Sequence, residues 1–238
     1  MRLKLEFTCN QLKLPLSYQS MLQGLIYSIF DKEEYGTFLH DQGYQWNNKT
    51  FKMFTFSNLL GRYKIEGKTT IFDKEVRLYV ASQSEEFIQI IYQFFMSNER
   101  VVLNHQFLQI QNMELIDTPY FKGEKDIVIK TMSPVVAYKT EDKYVNYFKP
   151  SDEDFENLCF SNLEEKNQAI DTPIRQLTFS IQKVTFEKKR VIRFKNTFYI
   201  SYLTEIVVHT NYETLDLLYN TGLSSKGSAG FGMIEAKL

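Results

Sequence analysis

The chain has 238 residues, 28 Lys and Arg against 29 Asp and Glu, and a formal net charge of −1 at pH 7. With 43% hydrophobic and 24% charged residues and only 10 Gly and 5 Pro, it reads as one large folded domain or two small ones, which excludes collagen-like, low-complexity and disordered classes. Cys9 and Cys159 fit neither a disulfide framework nor a zinc ligand set. No segment approaches the roughly 18 apolar residues of a membrane span, and no signal-peptide pattern opens the chain, so a cytoplasmic location without a membrane partner is expected.

Residues 1–7 alternate polar and apolar and predict a strand with one wet face. Over residues 17–30, Met21, Leu22, Leu25, Ile26, Ile29 and Phe30 recur at helical spacing, with Pro15 just ahead as a start signal. A short helical piece at 35–39, a Gly/Asn loop at 43–48 and a strand at 51–56 follow. Residues 70–72 and 76–81 predict a hairpin, 87–96 a second helix, and 101–113 one or two more strands. That order is the split βαβ pattern of a ferredoxin-like domain.

Pro, Gly and charge over 118–125 place a boundary there, giving domains 1–118 and 119–238. The second repeats the order: strands at 127–138 and 144–148, a helix from 150–151 to about 166, strands at 176–186, 189–194 and 197–209, a short helix at 213–220 and a last strand at 231–237. The fold class expected is α+β, with two tandem ferredoxin-like, RRM-like domains. Aromatic content of 15% fits strand propensity, and also stacking platforms for bases.

Four of the ten glycines, Gly222, Gly227, Gly230 and Gly232, fall near the C-terminus among Ser224, Ser225, Lys226 and Ser228. One glycine suffices to end a helix, so the rest ask for close backbone approach, and consecutive amides with Lys226 are candidates to cradle phosphate. A helix before the loop and a strand after it is the reverse of the order in nucleotide-binding P-loops and dinucleotide fingerprints. Residues 183–195 set Lys183, Lys188, Lys189, Arg190, Arg193 and Lys195 against Glu187 alone, which taken by itself reads as a solvated charged surface. Three scattered histidines offer no metal-ligand spacing, so neither metal nor cofactor is expected.

The run from Lys226 to Met233 resembles the glycine-rich loop of the RAMP superfamily of CRISPR-associated proteins. Leu22 to Tyr27, Phe38-Leu39-His40, Phe51 to Ser57 and Met132 to Val135 together resemble the sixth Cas family, which processes CRISPR precursor RNA. The resemblance implies a metal-independent endoribonuclease: a ribose 2′-hydroxyl attacks the adjacent phosphate within each repeat, leaving 2′,3′-cyclic phosphate and 5′-hydroxyl ends. It assigns Tyr27, His40 and Lys52 to catalysis, and Gly222, Lys226, Gly227, Ser228, Gly230, Gly232, Lys188, Lys189, Arg190 and Arg193 to RNA binding.

Taken alone, His40 reads as a surface-loop histidine, Tyr27 as a core residue and Lys52 as a wet-face lysine. His105 and His209 read as structural. The implied partners are CRISPR repeat RNA, its mature guide product and a CRISPR effector complex, with the protein a monomer or homodimer. The alternative is a RAMP subunit that holds guide RNA without cutting it, and a weaker third reading is a small-molecule sensor or enzyme.

Overall fold

The computed structural model describes residues 1–31, 34–142, 144–223 and 225–238; the side chains of His40 and Asp41 lie outside that description. The first half runs β1 (Arg2–Thr8), β2 (Leu12–Pro15), α1 (Gln19–Ile29), α2 (Glu34–Thr37), a π-helical turn (Phe38–Gln42), β3 (Tyr44–Trp46), β4 (Lys49–Phe51) and β5 (Phe54–Phe56). It continues with β6 (Tyr63–Glu66), β7 (Thr69–Phe72), β8 (Glu75–Ser82), α3 (Glu85–Ser97), β9 (Arg100–Leu103) and β10 (Gln106–Ile116). The sheet order is β5-β8-β1-β10-β9, in which β1, α1, β5, β8, α3 and β10 make the ferredoxin-like unit. Leu3, Leu5 and Phe7 point from β1 into a core completed by Leu22 and Ile26 of α1 and Phe87, Ile88, Ile91 and Phe95 of α3. Ser84 starts α3 by accepting from the Phe87 amide, with Glu85 and Glu86 at its positive end.

The second half comprises β11 (Glu124–Thr131), β12 (Ala137–Glu141), β13 (Tyr144–Phe148), α4 (Glu153–Gln168), β14 (Phe179–Phe194), β15 (Thr197–Asn211), α5 (Tyr212–Thr221) and β16 (Ile234–Lys237). Its sheet order, β14-β15-β11-β16, repeats the arrangement of the first half. Phe155, Cys159 and Leu163 of α4 pack with Ile206, Val208, Leu215 and Leu218 in a separate core. Among the described residues, no helix is long and apolar enough to cross a membrane.

Several expectations are corrected. The Gly/Asn loop at 43–48 is largely a hairpin, β3 paired with β4, because Asn47 and Asn48 adopt positive φ (45° and 62°), as a tight two-residue turn requires. Strands β7 and β8 do not pair with each other: β7 joins β2 and β6, while β8 joins β1 and β5. Pro15 ends β2 rather than opening α1. The strand expected at 127–138 stops at Thr131, and β12 begins at Ala137. Strands expected at 176–186 and 189–194 form one strand, β14, which absorbs two register shifts. The last strand begins at Ile234, because residues 231–233 belong to the glycine loop's packing.

The halves meet around Arg2, which is 1% exposed. Its Nη2 donates to the Tyr219 carbonyl in the last turn of α5 and to the Ile234 carbonyl of β16, both at 2.8 Å, and its guanidinium lies 3.3 Å from the Tyr219 ring centroid. Burial lowers its pKa to about 10, which still leaves it charged at neutrality. Replacing Arg2 by Met removes the donor and leaves two carbonyls unpaired. At ~1–3 kcal/mol for each orphaned group, Arg2→Met is expected to lower stability by about 2–6 kcal/mol, read as a reduced urea midpoint at unchanged slope.

Candidate active site and nucleic-acid interface

Helix α1 and strand β5 form the floor of the candidate active site. Phe30, Phe87 and Phe54 stack in series, with centroids 4.8 and 4.7 Å apart, and Tyr27 packs edge-on against Phe54 at 5.8 Å. Tyr27 lines a cleft of about 680 Å³ with Ser20, Gln23 and Gly24 of α1, Gly36 and Thr37 of α2, and Lys195 from the tip of the β14–β15 hairpin. Partial burial raises the Tyr27 pKa, so its hydroxyl is a proton donor at neutral pH and not a base.

His40 lies on the π-helical turn that α2 leads into, and its side chain is outside the described residues. Lys52 follows β4, and its ammonium donates to the carbonyl of Leu39, the residue before His40. Gly43 permits that approach: at φ +62°, a Cβ there would sit 2.8 Å from the Phe51 carbonyl oxygen and 3.3 Å from Lys52 Cδ. Lys52 thus reaches the backbone of the residue before His40, and Tyr27 shares its cleft with Gly36 and Thr37, upstream of His40 in the chain.

The close backbone approach that the glycines ask for is made within the protein, against β5. Gly222, Gly227, Gly230 and Gly232 are all buried. A Cβ on Gly227 would meet the Phe54 carbonyl oxygen at 2.9 Å, and one on Gly230, at φ +80°, would strike Phe56 Cε2 at 2.5 Å. The amides of Ala229, Gly230, Phe231 and Gly232 are spent on the carbonyls of Lys226, Gly227, Lys226 and Pro134. These four amides are thus engaged within the protein, and Gly227 and Gly230 pack against β5. Gln23 of α1 donates to the Ser228 carbonyl at 2.7 Å, tying the loop to the Tyr27 helix. Lys226 is half-buried, 5.7 Å from the Tyr138 ring centroid and 6.0 Å from that of Tyr199.

Beneath the start of this loop lies a residue that sequence reasoning missed. Lys166 continues the inward stripe Phe155, Cys159 and Leu163, a spacing visible in the sequence. Its Nζ donates to the carbonyls of Thr221 (3.2 Å) and Gly222 (2.8 Å), capping the C-terminus of α5. Burial drives its pKa down to about 7, and drives that of the neighbouring Cys159 thiol up to about 12.

The basic stretch forms the outer part of the β14–β15 hairpin. Lys188, Lys189 and Arg193 are exposed and Arg190 is half-buried. Among the described residues none of these four is in a salt bridge, and Glu187 instead accepts from the backbone and hydroxyl of Ser151. His105 sits in the exposed β9–β10 turn at φ +60°, and His209 bonds Asp126 at 2.7 Å across β15 and β11. Among the described residues, no group of three or more His, Cys, Asp and Glu is placed to hold a metal ion.

A family model described as "CRISPR associated protein Cas6, C-terminal" matches residues 113–236, and one described as "CRISPR-associated protein Cas6, N-terminal" matches residues 13–113. The chain is 28% identical to the CRISPR-associated endoribonuclease Cas6 1 of Methanocaldococcus jannaschii, over 98% of this chain and 92% of that protein. It is 29% identical to Cas6 2 of the same organism, over 67% and 59%. A solved structure described as CRISPR associated protein Cas6 superimposes with a TM-score of 0.81 at 24% identity, covering 100% of this chain and 99% of the other. A Cas6-related protein of Pyrococcus furiosus gives 0.81 at 19%, covering 100% and 98%. These structural likenesses confirm the tandem ferredoxin-like fold.

Gly230→Ala forces a side chain into left-handed backbone and against Phe56, so a loss of about 2–4 kcal/mol is expected in denaturant unfolding. Lys166 makes stability pH-dependent. Between its folded pKa of about 7 and its higher unfolded value, the unfolded chain holds a proton that the folded chain lacks. Stability contributed at this site therefore rises with pH across that window. Cys159 works in the opposite direction once the unfolded thiol begins to ionise. The wild type is expected to gain stability relative to Lys166→Met from pH 7 to 9, measured by urea unfolding of both at each pH.

Proposed function

The chain belongs to the Cas6 family of CRISPR-associated proteins, and from that membership we propose that it is an endoribonuclease that cuts CRISPR precursor RNA once within each repeat, without a metal ion. The observation that carries this reading is the bond from the Lys52 ammonium to the carbonyl of Leu39, next to His40, in the same half of the chain as the cleft lined by Tyr27, Gly36 and Thr37. The relatives named as Cas6 endoribonucleases support the reaction class.

The chemistry is attack of a ribose 2′-oxygen on the adjacent phosphorus with departure of the 5′-oxygen. One proton leaves the nucleophile and one reaches the leaving group, giving a 2′,3′-cyclic phosphate and a 5′-hydroxyl. His40 is the proton carrier, since an imidazole exchanges protons near neutrality. Lys52 supplies positive charge to the phosphorane oxygens, where charge builds in the transition state. Tyr27, kept protonated by burial, donates a hydrogen bond that orients the scissile phosphate. Lys226, Ser228 and the cations Lys188, Lys189, Arg190 and Arg193 bind the repeat RNA, and the buried glycines hold Lys226 and Ser228 in place. The ligands of this reading are the repeat RNA and its mature guide product.

The test is incubation with repeat RNA in excess EDTA, followed by end-group analysis of the fragments. Cyclic phosphate ends are expected, as is loss of cleavage when the attacking 2′-hydroxyl is replaced by hydrogen. His40→Ala is expected to slow cleavage by about two to four orders of magnitude while binding stays within a few-fold. The pH-rate inflection should disappear in that variant. Lys52→Ala should stay slow at every pH. A fully active His40→Ala enzyme, or activity that returns only with added magnesium, overturns the mechanism. Tight binding without cleavage by the wild type returns the chain to the RNA-holding alternative.

A further inference from the structure

The β14–β15 hairpin extends beyond the rest of its sheet, and its two faces are unequally used. Ile192, Phe194 and Tyr199 pack inward against Val136, Ala229 and Phe231, which anchors the arm to the glycine loop. The pairing register sets Arg193 opposite Phe198 and Val191 opposite Ile200, which places these four on the other face, together with Lys189. There Phe198 is 64% exposed and Val191 63%. The ring of Phe198 thus adds almost nothing to the core, although every inward aromatic of the arm is packed.

Phe198 is nonetheless held. Tyr147 Oη donates to its carbonyl at 3.2 Å, and Arg193 Nε donates to the Lys195 carbonyl at 3.2 Å, with the guanidinium carbon 5.9 Å from the Phe198 centroid. The result is an open aromatic face flanked by fixed positive charge, at the tip of an arm whose turn residue Lys195 lines the cleft with Tyr27. A planar ring with cations beside it matches a nucleobase and its phosphates, and the six basic residues of 183–195 against one acid favour a polyanion over a protein partner.

The geometry points to Phe198 as a stacking platform for one unpaired base of the RNA, with Arg193 on an adjoining phosphate. This rests on the repeat-RNA reading above and goes further by naming where a base outside the cleavage site is held. Stacking on any base is sequence-tolerant, so the platform contributes affinity and register more than base identity.

The test is equilibrium binding of a repeat RNA made uncleavable by a 2′-deoxy substitution at the cut site, titrated across salt concentrations. Phe198→Ala is expected to weaken binding about ten-fold, within the range for one stacked base. Its log–log salt slope should be unchanged, because stacking releases no counterion. Arg193→Gln should lower the slope by about 0.7. Phe198→Trp should retain affinity, while Phe198→Leu, which keeps the exposed apolar surface without a π face, should bind as weakly as Phe198→Ala. A 2-aminopurine scan of the RNA should find one position whose quenching is lost in Phe198→Ala. Unchanged affinity in folded Phe198→Ala, or full affinity in Phe198→Leu, overturns the platform and leaves the nuclease reading intact. Failure of the wild type to bind repeat RNA removes both.

Discussion

One buried cation governs how the two halves of this molecule fit together. A guanidinium in the interior needs hydrogen-bond acceptors, and Arg2 Nη2 finds two, the carbonyls of Tyr219 and Ile234, although its Nε is buried with no partner among the described residues. Those partners are the last turn of one helix and the first residue of the closing strand, and the glycine loop is the segment between them. Fixing both ends of that segment fixes the loop. Arg2 reaches no candidate site residue, yet it sets the position of the element that joins the site to the second core.

The loop then couples to the first half without side chains of its own. The Gly227 backbone lies against the Phe54 carbonyl, Thr55 Oγ1 donates to the Phe231 carbonyl at 3.4 Å, and Gln23 holds Ser228. Strand β5 thus serves two purposes: one side supports Tyr27 through Phe54, and the backbone seats the loop. Lys166 holds the loop from beneath through Thr221 and Gly222. Tyr27, His40 and Lys52 all belong to the first half, and Lys195 and the glycine loop reach that half from the second.

Much of the fold was legible because amphipathic period survives in single elements. The stripes of α1, α3 and α4 and the alternation of β1 needed only local spacing. What failed was a choice between neighbours: adjacency made 70–72 and 76–81 look like partners, but β7 pairs with β6 just before it and with β2, while β8 is drawn into the main sheet. The short β3–β4 hairpin escaped because asparagines compatible with left-handed backbone have loop composition. At the site, Tyr27, His40 and Lys52 stood out by resemblance, not by periodicity. The inward spacing of Lys166 was readable, but an amine at a core position is noticed only when the carbonyls it serves are in view. Phe198 did not stand out in the sequence, because its face is set by the β14–β15 register and its openness by the anchoring of the opposite face.

The partners of Arg2 lie 217 and 232 residues further along the chain, and this separation orders events during synthesis. The first sheet can assemble as soon as β10 has left the ribosome, since its strands all lie within the first 116 residues. Its Arg2 edge and the surface around Thr55 and Phe56 then face solvent until α5, the glycine loop and β16 emerge. A nascent chain stalled before residue 219 would carry a folded first domain with a bare docking surface.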